Sequence, residues 1–384
     1  MTRPASTSRT GGAGPADWRL EIPTARRRHL AVWFLSGAAL TLVILIIGGI
    51  TRLTQSGLSI VDWAPIMGAI PPLNEAQWQE AFDAYRQSPE YLELRRGMTM
   101  EEFRFIFFWE YLHRMAARLI GLVFLIPFLF FWIRGYLSRP LMRRALLLFA
   151  LGAMQGVMGW LMVRSGLVDV PRVSHYRLAA HLGLAFLIFG ACLWFALDLR
   201  PRPVGGTSRR SRGRVRTSLY VVGGLLAVQV FWGALVAGLK AGLYFNTFPL
   251  MGGRLIPPNA FGLEPLLINF LENPFTVQWM HRMLGTVLGF GTLALFLMVR
   301  KVEDDRPSRK LNLTFSLLIL IQYLLGVLTL LFLVPITLGV AHQALALVIF
   351  GVWVAWVHRL HWLESAGRGV PRSAAPRAEG PGRL

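Results

Sequence analysis

Glu110-Tyr111-Leu112-His113-Arg114 lies inside one long apolar run of the chain, and Gln278-Trp279-Met280-His281-Arg282 lies inside another. Each run is long enough to cross roughly 30 Å of hydrocarbon as a helix. An ionisable side chain at such depth is costly, so matched imidazoles in matched runs point to a shared use. Each is followed, in the next apolar run but one, by a second histidine: His181 after His113, and His342 after His281. The two halves of the chain therefore repeat, and each repeat carries one histidine pair.

The composition agrees. Of 384 residues, 54% are hydrophobic and only 16% charged, with 13 Trp and 25 Phe, a content that a water-soluble domain of this size cannot keep off its surface. Apolar runs near residues 30 to 51, 105 to 133, 141 to 163, 176 to 197, 217 to 239, 277 to 299, 311 to 334 and 338 to 357 give eight spans. The predicted fold is an all-α integral membrane protein whose eight transmembrane helices form two pseudo-symmetric four-helix bundles. With four spans per half, both halves enter the membrane in the same sense, so the pseudo-twofold axis runs along its normal. The expected organisation is a disordered basic tail over 1–28, a first bundle over 29–198 with an outer loop at 53–104, a basic linker at 199–216, a second bundle over 217–358 and a disordered tail over 359–384.

A net charge of +20 would suit nucleic acid if it formed one face, but the basic residues follow alternate connections instead. Arg26 to Arg28 precede the first span. Arg134, Arg139, Arg143 and Arg144 join spans two and three, Arg209 to Arg216 join four and five, and Arg300 to Lys310 join six and seven. The remaining connections are acidic or balanced: residues 53–104 hold eight Asp or Glu against four Arg. This pattern predicts both termini in the cytoplasm, a lipid environment and no nucleic-acid partner. A bacterial inner membrane is the expected location. The Arg-rich start resembles a transit peptide weakly, because it also carries Asp17 and Glu21.

In that orientation the four histidines sit on spans running inward, each near the outer end. Parallel helices with imidazoles at one depth can grip a flat macrocycle from both faces, the arrangement of bis-imidazole haem iron. The other histidines are set aside: His29, His358 and His361 fall at the cytoplasmic rim, and His175 is about 240° around its helix from His181. A Gln-x-x-x-Gly step recurs as Gln155 to Gly159, Gln229 to Gly233 and Gln322 to Gly326, where small residues let helices approach. The halves differ one turn before the first histidine: Glu110 in one, uncharged Gln278 in the other. A carboxyl beside a haem can deliver a proton or stabilise developing positive charge, and it can equally be a salt bridge to Arg114 or Arg118. The asymmetry suggests a reacting site in the first half and an electron-storing site in the second. Arg114, Arg177 and Arg282 are candidates for pairing with haem propionates or for anchoring at the membrane surface.

Longer motifs carry a family resemblance. Thr51-Arg-Leu-Thr-Gln-Ser-Gly-Leu-Ser59, Trp63-x-Pro65-x-x-Gly68-x-x-Pro71-Pro72, Pro89-Glu-Tyr91, Glu102-Phe103 and Glu110-Tyr-x-His-Arg114 closely resemble the haem A synthase family. Tyr176-Arg-Leu-Ala-Ala-His181, Phe245-Asn-Thr-Phe-Pro-Leu-Met-Gly252 and His342-Gln343 continue the match over roughly residues 30 to 357. The resemblance implies oxidation of the C8 methyl of haem O to a formyl group by two successive hydroxylations with loss of water, giving haem A for terminal oxidases. It also implies that His113 and His181 hold the iron of the substrate haem O, that Glu110 is the catalytic carboxyl, and that His281 and His342 ligate a resident haem b. A haem O synthase (protohaem farnesyltransferase) supplying the substrate and an unidentified electron donor are the partners it suggests. Cys192 is the sole cysteine, so no intrachain disulfide forms, and the chain looks like the alphaproteobacterial and mitochondrial-type branch that lacks outer-loop cysteine pairs. His175 stands where that branch leads one to expect glutamine.

Two other functions use the same features. A diheme b-type membrane electron-transfer protein needs the four histidines without transforming haem, and a haem-free transporter shares the parallel four-helix repeat. In the first outer loop, Asn74-x-x-Gln77 and Thr99-x-x-Glu102 resemble capping boxes, and Trp78, Phe82 and Tyr85 share one helical face. The segment is either a roof over the haem pocket or an amphipathic connector.

Overall fold

The computed structural model describes residues 22–61, 67–167, 172–201 and 209–368. Trp63 and Pro65, most of both terminal tails and the centre of the basic linker lie outside the described residues, as do the side chains of Arg209, Arg210 and Arg212. In chain order the helices are α1 (Thr24–Leu53), α2 (Glu75–Arg86), α3 (Pro89–Leu94), α4 (Met100–Ile133), α5 (Arg139–Leu167) and α6 (His175–Asp198), then α7 (Arg209–Gly238), α8 (Asn269–Glu272), α9 (Pro274–Val302), α10 (Arg306–Leu331) and α11 (Ile336–Arg368). Eight of them, all but α2, α3 and α8, are long and apolar enough to span a membrane, and no strand occurs among the described residues. The protein is an all-α integral membrane protein.

Three boundaries differ from those expected. Helix α1 starts inside the segment assigned to a 1–28 tail, α7 starts inside the 199–216 linker, and α11 continues past 358 to Arg368. Apolar residues at helical spacing explain the last. Leu360 and Leu363 are each 1% exposed and join a core with Val215 and Leu219 of α7. His358, expected at the rim, is also buried: its Nε2 lies 2.9 Å from Asp198 Oδ1, and Arg144 reaches Asp198 Oδ2 at 2.7 Å. Arg359 forms a bidentate pair with Asp305, both bonds 2.6 Å. At this basic end, short connections carry buried ion pairs; at the other, loop end, long connections carry α2, α3 and α8.

Helices α1, α4, α5 and α6 form one set, and α7, α9, α10 and α11 the other. Across the seam α1 packs on α11 and α6 on α7, while α6 and α11 meet at the centre, which is the pattern a twofold axis generates. Two glycines permit that central contact. A Cβ on Gly190 would stand 2.9 Å from the ring of Phe350, and one on Gly351 would stand 3.0 Å from the ring of Phe189. Each helix thus inserts a phenylalanine into its counterpart's notch.

The loop-end helices follow from their caps. Asn74 accepts from Gln77 N at 2.9 Å while Leu73 N donates to Gln77 Oε1, and Thr99 with Glu102 forms a full capping box at the start of α4. Phe82 and Tyr85 of α2 are buried against Phe103, with ring centroids 4.8 and 5.3 Å away. The first turns of α4 therefore hold α2, and His113 falls later in its helix than the other three histidines do in theirs.

Candidate functional site

A cavity of 2120 Å³ runs through both sets of helices and is lined by all four histidines. An ordinary ligand pocket reaches about 1,000 Å³, so this one has room for two large ligands. Its histidines come from α4, α6, α9 and α11, and each is received by the preceding membrane span, α1, α5, α7 and α10 in turn.

The receiving helix supplies a glycine beneath the ring. A Cβ on Gly48 would stand 3.0 Å from His113, on Gly159 3.4 Å from His181, on Gly233 3.0 Å from His281 and on Gly326 2.9 Å from His342. One turn earlier a glutamine fixes the backbone as well as the ring. Gln155 Nε2 donates to the carbonyl of His181 at 3.2 Å, Gln229 to that of His281 at 3.0 Å and Gln322 to that of His342 at 2.9 Å, and each also lies 3.1–3.4 Å from a ring nitrogen. The Gln-x-x-x-Gly steps are thus imidazole cradles rather than plain sites of helix approach. Sequence reasoning saw the repeat but left these residues out of the site, because a notch does not announce which neighbour fills it. The first cradle departs from the rule: the place of the glutamine before Gly48 is taken by Ile44.

His281 and His342 face each other with ring centroids 6.4 Å apart and planes at 77°. Two metal–imidazole bonds of about 2 Å each, added to the radii of two rings, account for a separation of this size. His181 Nδ1 and His342 Nδ1 are buried without a hydrogen-bond partner, a cost that a ligand on the ring would remove. These features fit the bis-imidazole haem sites expected from the sequence. His113 and His181 line the same cavity with Glu110 and Arg114 beside them.

Glu110 is 2% exposed and fully engaged. Ser59 Oγ donates to Oε2 at 2.7 Å, Ile60 N donates to the same oxygen at 2.9 Å, and Arg114 donates twice to Oε1 at 2.6 and 3.1 Å. Arg114 also donates to the Ile60 carbonyl at 2.9 Å, so the pair fastens the segment after α1 onto α4. The second half repeats this clamp without the charge. Gln278 Nε2 and Arg282 donate to the Phe245 carbonyl at 3.1 and 2.7 Å, and Arg282 reaches Thr247 O at 2.8 Å. Arg114 and Arg282 line the cavity, whereas Arg177 donates to Leu161 O at 2.5 Å and ties α6 to α5. His175 approaches Glu272 at 3.4 Å, away from His181.

A second buried carboxylate lies at the loop-end mouth, where sequence reasoning assigned nothing. Glu90 of α3 is 5% exposed, lines the cavity, accepts from Tyr85 Oη at 3.2 Å and lies 3.7 Å from Arg95 Nε. Burial pushes its carboxyl up to about 7 despite Arg95.

The cytochrome oxidase assembly protein family (COX15-CtaA) matches residues 31–355 of the chain. The protein named heme A synthase from Parvibaculum lavamentivorans is 46% identical over 342 residues, covering 89% of this chain and 97% of that one. Those so named from Rhodospirillum centenum and Nitrosospira multiformis are each 46% identical, over 92% and 86% of this chain and 93% of their own lengths. With the histidine repeat and this match in hand, the chain belongs to the COX15-CtaA family of cytochrome oxidase assembly proteins.

Proposed function

We propose that the protein is an oxidoreductase, a haem A synthase, converting the C8 methyl of haem O to a formyl group by two successive hydroxylations with loss of water. Its place is the bacterial inner membrane, with the basic end and both termini in the cytoplasm and the haem sites toward the outer side. His113 and His181 hold the iron of substrate haem O, and His281 and His342 hold a resident haem b. Attack on a methyl C–H bond needs oxidising power that no side chain supplies, so it must come from oxygen chemistry at haem iron, for which a haem b held by His281 and His342 would store electrons.

The observation that carries this reading is the contrast between two otherwise matched clamps, Glu110 with Arg114 and Gln278 with Arg282. Each fastens a loop above a histidine pair, yet only the first places a charge there. Glu110, held by four donors, is an oriented anion that stabilises positive charge developing at the reacting carbon and can accept its proton. Arg114 and Arg282 line the cavity and are the partners for propionates, while Arg177 positions α6. The buried loop segment above Glu110, with α2 packed on α4, limits water at the reacting carbon.

Expression in a host that makes haem O but not haem A, followed by chromatographic analysis of extracted haems, tests the function. Haem A or its hydroxylated precursor is expected. Haem b alone would instead identify a diheme electron carrier.

A further inference from the structure

The two halves part company where their second and third spans meet. In the second half, α9 and α10 pack together, joined by a 3.1 Å hydrogen bond between Thr286 Oγ1 and Tyr323 Oη. Aligned on the repeated histidine and glutamine motifs, Thr286 corresponds to Arg118, Tyr323 to Gly156 and Ile319 to Gly152. Ile319 is buried and closes its half. Gly152 and Gly156 are exposed, and a Cβ on either, or on Gly121 of α4, would meet nothing within 4 Å.

All three glycines line the cavity that holds His113 and His181. Toward the basic end the slot closes on aromatic rings. Phe149 of α5 lies 5.2 Å from Phe124 and 5.0 Å from Phe128 of α4, whereas Thr292 and Ser316 take the places of Phe124 and Phe149 in the second half. The first half therefore has a glycine-walled slot with an aromatic floor, continuous with the ligand cavity; the second half keeps the α4 glycine's counterpart, Gly289, but has Ile319 and Tyr323 in place of Gly152 and Gly156.

An apolar slot on the membrane-facing side of a site fits a long hydrocarbon chain attached to the molecule in that site. Haem O carries a farnesyl chain in place of one vinyl of protohaem. We propose that the α4–α5 slot receives the prenyl chain of the substrate haem and admits it sideways from the lipid. The inference rests on reading the first half as the substrate site. A chain leaving the slot passes into hydrocarbon, so transfer from water contributes little and fit against the glycine walls makes the selection. That also explains why the resident site, which in this reading takes a haem without such a chain, has Ile319 and Tyr323 instead.

The test installs the second-half residues in the first: Gly152→Ile with Gly156→Tyr, in the full-length protein with its resident haem. Protohaem and haem O are titrated separately into wild type and variant, and binding is followed in the Soret band. Wild type is expected to prefer haem O by about tenfold or more, and the variant to lose that preference while keeping its protohaem affinity. Gly121→Leu narrows the slot from the other helix and should act alike, which covers the case that the double variant does not fold. Unchanged haem O affinity in a folded variant, or equal weakening toward both haems, overturns the slot. So does displacement of the preference by excess phospholipid, which makes the slot a lipid site. Failure of the substrate-site reading is recognised separately, because His113→Ala would then leave the haem O titration unaltered.

Discussion

Gly326→Ala should loosen the second-half haem by an amount the structure lets one estimate. The added Cβ would stand 2.9 Å from His342 Cε1 and 3.4 Å from Nδ1, whereas carbon contacts settle at about 3.5–4.0 Å. The ring must retreat by about half an ångström or more. A free imidazole can swing aside, but one bonded to iron cannot, because ligand distances hold to about ±0.2 Å. Overpacking of this kind costs about 1–3 kcal/mol, or about 5- to 150-fold in haem affinity. The fold itself should not suffer, since Ala is favoured over Gly in a helix by about 1 kcal/mol. Gly159→Ala is the control: its Cβ would lie 3.4 Å from His181 Cε1 and meet no other atom within 4 Å. For Gly326→Ala, haem content per protein should fall and the rate of haem loss to an apoprotein acceptor should rise, while the second-half haem of Gly159→Ala stays unchanged. Equal haem retention in the two variants would refute the cradle.

His281→Ala and His342→Ala should each remove the resident haem and abolish haem A formation; a wild-type Soret spectrum in either would exclude that ligand. Glu110→Gln copies the second half and keeps an acceptor for Ser59 and Ile60, so the resident haem spectrum should persist while product formation drops about 100-fold or more, read by chromatography of extracted haems. Glu90 gives a pH dependence. Its folded carboxyl titrates near 7, above the ordinary carboxylate value, so the folded state binds the extra proton and the stability it adds is complete in acid and lost as pH rises from about 4.5 through 7. Amide exchange in α2 and α3 should therefore speed up between pH 5 and 8 relative to Glu90→Gln, and identical pH profiles for the two proteins would remove the effect.

Much of the fold was legible because a membrane span is a property of one stretch of chain. Length and apolarity found all eight, and alternate basic connections set the expected orientation. The ends were less legible. Leu360 and Leu363 extend α11 because α7 covers them, and the first turns of α4 extend it because α2 does, both facts about neighbours. The same distinction governs the site. The four histidines stand out from the sequence, being costly where they are, and Glu110 stands out against Gln278. Gly48, Gly159, Gly233 and Gly326 do not, since a glycine in a membrane helix has many uses and only the structure shows an imidazole against each one. Ser59 and Ile60, distant from Glu110 in sequence, become its partners only once the segment after α1 folds over α4.

The departures from symmetry converge on one half. A duplicated bundle gives two equal sites by default, so each difference needs a separate cause. The charge is at Glu110, the glycine slot is between α4 and α5, and the cradle without glutamine is the one with Ile44, beneath His113. Gln155, Gln229 and Gln322 each fix a histidine backbone, so His113 is the one of the four histidines whose helix is held without that bond. A resident cofactor benefits from two firmly placed imidazoles, because rigid ligands slow its escape. A substrate must be released as product after every reaction, and a site whose ligands are all equally fixed would retain it. In the proposed function, one firm and one looser imidazole, a side opening toward lipid and a single oriented carboxylate together turn a copy of a haem-storage bundle into a site that exchanges its haem.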